Sequence, residues 1–173
     1  MAGPAITEFA RALALVVVSE QVLDDPEALE PYRRDTSPFE DVTPTVVARV
    51  CELEQIPRVL ALASAAGLPV VARGAGYSLS GLPGIGQATV VIDVSRMDRV
   101  LAIDHEAMTV TAQAGILCSD LERACLAEGL IAPTVAVPVS RTTIGGVLSG
   151  VMGGGIPKDS PVVGRTTWAV SSA

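Results

Sequence analysis

Residues 70–81, Val-Val-Ala-Arg-Gly-Ala-Gly-Tyr-Ser-Leu-Ser-Gly, constrain the fold of this chain more than any other stretch. Val70, Val71 and Ala72 suit a buried strand, and that strand runs straight into a glycine-rich loop. Glycine tolerates positive φ, so such a loop can turn several backbone N–H groups toward one point. Successive N–H groups arranged in this way make a nest for an anion, above all a phosphate or pyrophosphate.

The neighbouring segments give the loop a place. Thr45 to Val50 reads as a strand, Ile56 to Ala66 as a helix stopped by Gly67, and Leu68 to Ala72 as a second strand. Strand, helix and strand in that order form a βαβ unit with parallel strands. The loop then leaves the C-terminal end of a strand, where α/β folds hold ligands. After a second glycine-bearing loop (Gly84, Gly86), Thr89 to Val94 reads as a strand. Val100 to Asp104 and Met108 to Gln113 form a hairpin with His105 and Glu106 at its turn. Ser119 to Glu128 is an amphipathic helix, with Ser119 as N-cap, Glu122 at the capping-box position and Gly129 as its stop. Thr143 to Gly150 starts a further, glycine-rich helix. At the N-terminus, Thr7 is expected to cap a helix through Val18 whose apolar residues surround it, so that it packs on both sides. Asp25 caps a short helix that opens with Pro26, and Arg33 to Pro44 is a connector. No internal repeat is evident.

Composition narrows the function classes. A chain of 173 residues, 49% hydrophobic, can build one medium domain or one domain of two lobes. The formal net charge is −7, Lys and Arg are scattered, and only one Trp, two Tyr and two Phe are present. A nucleic-acid partner would call for clustered cations and stacking rings, so none is expected. The apolar run Ala12 to Val18 is too short to span a bilayer, and no signal peptide is evident. The expectation is a cytoplasmic protein without a membrane partner. Cys51, Cys118 and Cys125 lack metal-type pairing and fit reduced, mostly buried thiols.

Tests against common motifs exclude several chemistries. A Rossmann fingerprint, G-x-G-x-x-G opening a helix, fits Gly74 and Gly76, but Leu79 takes the third place and Leu82-Pro83-Gly84 follows instead of a helix. Asp93, near the spacing of a ribose-binding acid, reads as a strand residue. A P-loop fails at Gly153 to Ser160, because Pro157 precedes Lys158 and Asp159 follows it. A serine hydrolase needs G-x-S-x-G and a nearby histidine; the last glycine is missing after Ser78, and the only histidine, His105, sits at a hairpin tip. Asp104, His105 and Glu106 read as a solvated turn, and no metal site is expected.

The ordered set of segments resembles the FAD-binding domain of the vanillyl-alcohol oxidase/PCMH flavoprotein family. The resemblance runs from Asp25-Pro26-Glu27-Ala28-Leu29 through Val70 to Gly81 and Val90-Val91-Ile92-Asp93-Val94-Ser95-Arg96-Met97. It continues over Val110 to Gly115, Asp120-Leu121, Gly129-Leu130 and Thr143-Ile144-Gly145-Gly146-Val147-Leu148-Ser149. It implies an α+β fold of PCMH type: a parallel βαβ lobe and a mainly antiparallel lobe, with FAD in the groove between them. It implies that Gly74, Ala75, Gly76, Tyr77 and Ser78 lie along the FAD diphosphate, where N–H groups and the Ser78 hydroxyl serve as donors. It also implies that Thr143, Gly145, Gly146, Ser149 and Gly153 face the cofactor. The bland alternatives are a tight turn for the first set and close helix–sheet packing for the second.

The nearest look is to cytokinin-dehydrogenase-like or glycolate-oxidase-like FAD-linked oxidases. In the cytokinin branch the residue that carries covalent flavin is histidine, and Tyr77 stands there, so FAD is expected to be non-covalent. Leu82 replaces a glutamine, and Pro138 replaces the catalytic aspartate, so no residue is assigned a catalytic role. The resemblance runs out near Val163 to Ala173. The expected organisation is an N-terminal helical segment and connector over residues 1–41 and a C-terminally incomplete FAD-binding domain over 42–173, with the substrate domain absent. The implied function is the FAD-binding portion of an oxidoreductase that transfers a hydride from an alcohol, hydroxy acid or amine to FAD. A small-molecule substrate then needs a second domain or chain. The alternatives are a non-catalytic or split FAD module that requires a partner chain, and an inactive remnant.

Overall fold

A computed structural model describes residues 3–38, 41–78, 89–132 and 140–149, divided between two compact units, Met1–Met97 and Asp98–Ala173. The first unit is built on a four-stranded sheet of β1 (Val22–Leu23), β2 (Val46–Arg49), β3 (Val70–Arg73) and β4 (Val90–Asp93), in the order β1-β2-β4-β3. Helix α3 (Gln55–Ala65) carries the chain from β2 to β3. The two strands are parallel, as the βαβ reading expects, but they do not touch. β4 lies between them and runs parallel to both, while β1 adds an antiparallel edge on β2.

Strand side chains alternate between the two faces of a sheet. Val46, Ala48, Val90 and Ile92 pack on one face beneath Phe9, Leu13 and Val17 of α1 (Gly3–Val17) and Val59 and Ala63 of α3. On the other face Val47 and Val91 meet Leu23, Leu29 of α2 (Pro26–Leu29) and Tyr32 of the 3-10 turn Glu30–Tyr32. Coverage of both faces explains why β2 and β4 are nearly continuous apolar runs. Each fully buried valine stabilises the layer by about 1.5–3 kcal/mol relative to exposure.

Two expectations at the N-terminus change. Helix α1 begins at Gly3, ahead of Thr7, because Pro4 fits a first turn where its missing N–H is not needed. It also packs on one side only: Phe9, Leu13 and Val17 are buried, whereas Leu15 is 83% exposed. Its last carbonyls are met from α3, where Gln55 Nε2 donates to Val16 O at 3.3 Å. The Asp25 cap is present, with its carboxylate accepting from the Ala28 N–H at 2.9 Å. Gly67 also stops α3 as expected. It sits at φ +65 and donates to Ser64 O, while Leu68 donates to Ala63 O, the paired bonds of a Schellman ending.

The second unit holds a hairpin of β5 (Val100–Asp104) and β6 (Thr109–Ala112), helix α4 (Cys118–Ala127) and the short helix α5 (Ile144–Ser149). Ile116, Cys118, Leu121, Cys125, Ala132 and Ile144 form its core. The Asp104 carboxylate accepts from the N–H groups of Glu106 and Ala107, which closes the turn. Helix α4 repeats the Schellman ending at Gly129, at φ +71. Its start differs from expectation. Leu117 occupies the N-cap without a side-chain bond, and Ser119 lies inside the helix. The Cys118 N–H is satisfied by Thr142 O at 2.9 Å, so backbone pairing with a distant segment sets this helix start and no serine cap is needed.

The two units together are α+β, one with a parallel layer and one with an antiparallel hairpin. Among the described residues no helix is long and apolar enough to cross a membrane, and no cluster of His, Cys, Asp and Glu could hold a metal ion. His105 pairs at 3.3 Å with Glu128, both side chains exposed. Cys118 and Cys125 are free and buried, Cys51 is free and half-buried, and burial pushes the Cys118 and Cys125 thiols up from their ordinary value.

Candidate functional site

Residues 74–78 follow β3 directly. Gly76 has φ +70, the left-handed conformation that glycine adopts without strain. Among the described residues no backbone carbonyl accepts from the N–H of Gly74, Ala75, Gly76 or Tyr77. Four consecutive N–H groups without a backbone acceptor among the described residues, in a half-exposed loop, are the arrangement an anion nest requires. The Ser78 carbonyl accepts from the Thr36 hydroxyl at 2.8 Å, which ties the far end of the loop to the connector after α2.

Beneath the loop lies a charged cluster built by strand register. Arg49, Asp93 and Arg73 end β2, β4 and β3, and the parallel pairing sets both arginines opposite Asp93. Alternation puts all three on the face that carries Tyr32. The Tyr32 hydroxyl donates to Asp93 Oδ2 at 2.5 Å and accepts from Arg49 Nε at 3.0 Å. Arg49 Nε is 4.0 Å from Asp93 Oδ2. Asp93 Oδ1 accepts from the Ser95 N–H at 2.8 Å. Both guanidiniums lie over the Tyr32 ring, Arg73 at 5.2 Å and Arg49 at 5.9 Å from its centroid. Burial raises the Tyr32 phenol above its ordinary value, and its bond to Asp93 raises it further. Burial lowers the Arg73 guanidinium, and Tyr32, Asp93 and Asp35 partly restore it. It stays charged, because arginine does not deprotonate in proteins.

Arg73 also reaches the loop. Its Nη1 donates to Arg34 O at 3.1 Å and its Nη2 to Pro31 O at 2.9 Å. A Cβ placed on Gly76 would lie 2.1 Å from Arg73 Nη2, so the guanidinium sits against the Gly76 backbone.

The second sequence-derived set, Thr143 to Ser149, belongs to the other unit and is constructed differently. The N–H groups of Ile144 and Gly145 donate to Ile116 O and Ala114 O, both at 2.9 Å. The Gly146 N–H approaches Thr143 Oγ1 at 3.3 Å, and the Val147 N–H donates to Thr143 O at 3.0 Å. The Ser149 hydroxyl donates to Gly145 O at 2.7 Å. A Cβ on Gly145 would lie 2.8 Å from Ala114 O and 2.9 Å from Ala114 Cβ, so this glycine permits close backbone approach. Thr143 is buried. Gly153 lies outside the described residues, as do Leu82 and Pro138.

Tyr32, Arg49, Thr36 and the position of Arg73 escaped the sequence reading. One signal for them exists in the chain. The tetrapeptide Val-Val-Ala-Arg occurs twice, at residues 46–49 and 70–73. The two copies are β2 and β3, and β4 between them ends in Asp93. Asp93 is a strand residue, as expected from the sequence.

A parallel layer that ends in an open N–H loop defines a class of nucleotide-cofactor domains. Residues 44–162 match the FAD binding domain family, and the chain belongs to that family. Glycolate oxidase subunit GlcD of Bacillus subtilis is 31% identical over 123 residues, which cover 71% of this chain and 26% of that protein. D-2-hydroxyglutarate dehydrogenase of Xanthomonas citri pv. viticola is 26% identical over 143 residues, covering 83% of this chain and 30% of that protein. A solved structure of alkyldihydroxyacetonephosphate synthase matches with a TM-score of 0.74 at 25% identity, covering 82% of this chain and 31% of that one. P-cresol methylhydroxylase with substrate bound matches at 0.64 and 17% identity, covering 75% and 26%, and shows the fold. The fold is therefore the PCMH-type FAD-binding fold, as the resemblance implied. This chain spans about a quarter of the length of the Bacillus relative.

Proposed function

We propose that this chain is the FAD-holding part of a flavin-dependent oxidoreductase, with the diphosphate seated on residues 74–78. The observation that carries this reading is the loop in which four consecutive N–H groups find no backbone acceptor among the described residues. The fit is chemical: Gly76 at φ +70 lets the backbone turn toward an anion, no Cβ shields it, and a guanidinium backs it. When bound, FAD supplies the hydride acceptor, and the protein binds and orients it. Tyr77 has no imidazole to form the usual flavin link, which supports non-covalent retention.

The names of two relatives, glycolate oxidase subunit and D-2-hydroxyglutarate dehydrogenase, favour a hydroxy acid over an alcohol or amine as the class oxidised. The coverage of those relatives, 26% and 30% of their length, favours a substrate half supplied by a further domain or a partner chain. The free, buried cysteines support a reducing compartment such as the cytoplasm. In the second segment the backbone donors of Ile144 and Gly145 are already taken. Any cofactor contact at Thr143, Gly145, Gly146 and Ser149 therefore cannot use those two donors.

The test is flavin retention. The purified chain should take up FAD and show a bound-flavin spectrum, and Gly76→Val should lose it. Full FAD occupancy in Gly76→Val would remove the loop as the diphosphate seat. Turnover of a hydroxy acid by the chain alone would remove the need for a partner half.

A further inference from the structure

Two carboxylates, Asp93 and Asp35, act on the Arg73 guanidinium, and Asp93 also faces Arg49. Arg49 is matched to Asp93 through the Tyr32 hydroxyl. Arg73 spends its donors on two neutral carbonyls, Pro31 and Arg34, and its guanidinium lies against Gly76. The connector that offers these carbonyls also offers the Thr36 hydroxyl to Ser78 O. Both ends of the loop are thus fastened to residues 31–36, which lie outside the span matched to the family, 44–162. The N–H groups between the two fastenings are the ones that find no backbone acceptor among the described residues.

We infer that Arg73, held by the 31–36 connector, is a positioning residue for the diphosphate seat, and that Thr36 is its counterpart at the other end of the loop. This inference rests on the FAD reading above. Two roles are combined in Arg73. Its planar fork spans two carbonyls, which a lysine ammonium cannot copy in geometry. Its charge adds to the anion-attracting field under the loop, and a charge near a binding site makes affinity salt-dependent. Thr36 contributes position alone.

The experiment measures FAD and ADP dissociation constants and thermal midpoints on the full chain, with Thr36→Val, Arg73→Lys and Arg73→Met. Wild type is expected to bind FAD, with ADP as a competitor. Thr36→Val is expected to weaken both ligands about threefold while the thermal midpoint stays unchanged, because the exposed Thr36–Ser78 bond adds little stability. Arg73→Lys is expected to weaken both about tenfold while keeping the wild-type salt dependence. Arg73→Met is expected to weaken both further and to flatten that dependence. Should the Arg73 variants fail to fold, Thr36→Val carries the test. Wild-type affinity in Thr36→Val and Arg73→Lys, or an unchanged salt dependence in Arg73→Met, would overturn the inference and leave the FAD reading standing. A wild-type chain that binds neither FAD nor ADP would overturn both.

Discussion

Residues 74–78 and 143–149 are both glycine-bearing segments that the sequence marks as cofactor contacts, and they are built on opposite plans. The first has four N–H groups without a backbone acceptor among the described residues and is fastened by side chains: Arg73 at one end and Thr36 at the other. The second has its leading N–H groups bonded to backbone oxygens of Ile116 and Ala114. The glycines differ accordingly. Gly76 is needed for a left-handed turn over a guanidinium, and Gly145 for contact with the backbone at Ala114. Glycine count alone therefore does not separate a loop with open donors from a packing contact. The state of the backbone donors does.

Gly145→Ala attacks the packing side of this contrast and carries the largest stability effect. Its Cβ meets a carbonyl oxygen fixed by a hydrogen bond, so unfolding free energy is expected to fall by about 3 kcal/mol, read from urea denaturation. Gly76→Ala attacks the ligand side. A non-glycine residue at positive φ costs about 1–2 kcal/mol, and the guanidinium must swing away. A greater stability loss here than in Gly145→Ala would break the contrast.

Tyr32→Phe removes the hydroxyl between Asp93 and Arg49 and is expected to cost about 1.5 kcal/mol by the same measurement. The variant also sharpens a pH prediction. The folded-state phenol of Tyr32 lies above its ordinary 10.0 because of burial and Asp93. Below that value both states hold the proton and the stability is fully present. As pH rises past it the unfolded chain releases the proton first, and stability falls. Stability curves above pH ~10 should be flatter in Tyr32→Phe than in wild type. The smallest effect belongs to Thr143→Ala. Its bond to the Gly146 N–H is long, at 3.3 Å, and its loss should cost about 0.5 kcal/mol.

Much of the fold was legible because local chemistry decides it. Gly67 and Gly129 end helices through bonds to carbonyls a few residues back, and Asp104 closes its own turn. Elements decided by distant partners were not legible. The start of α4 depends on Thr142, and the insertion of β4 between β2 and β3 has no local marker. The loop itself was readable from Gly74, Gly76 and Ser78. The cluster beneath it was not, because Tyr32 and Asp93 stand 61 positions apart and meet only through the sheet. The paired Val-Val-Ala-Arg strands were the available trace, and they acquire meaning once Asp93 is placed between them.

The strand order also has a consequence for synthesis. Two of the three parallel strands emerge from the ribosome before the one that joins them. A nascent chain ending at residue 88 carries β2, α3 and β3 with no ladder between β2 and β3, since the two are joined through β4. Such long-range parallel pairing is slow to form. The parallel layer under the glycine loop is therefore completed only after translation has passed Asp93.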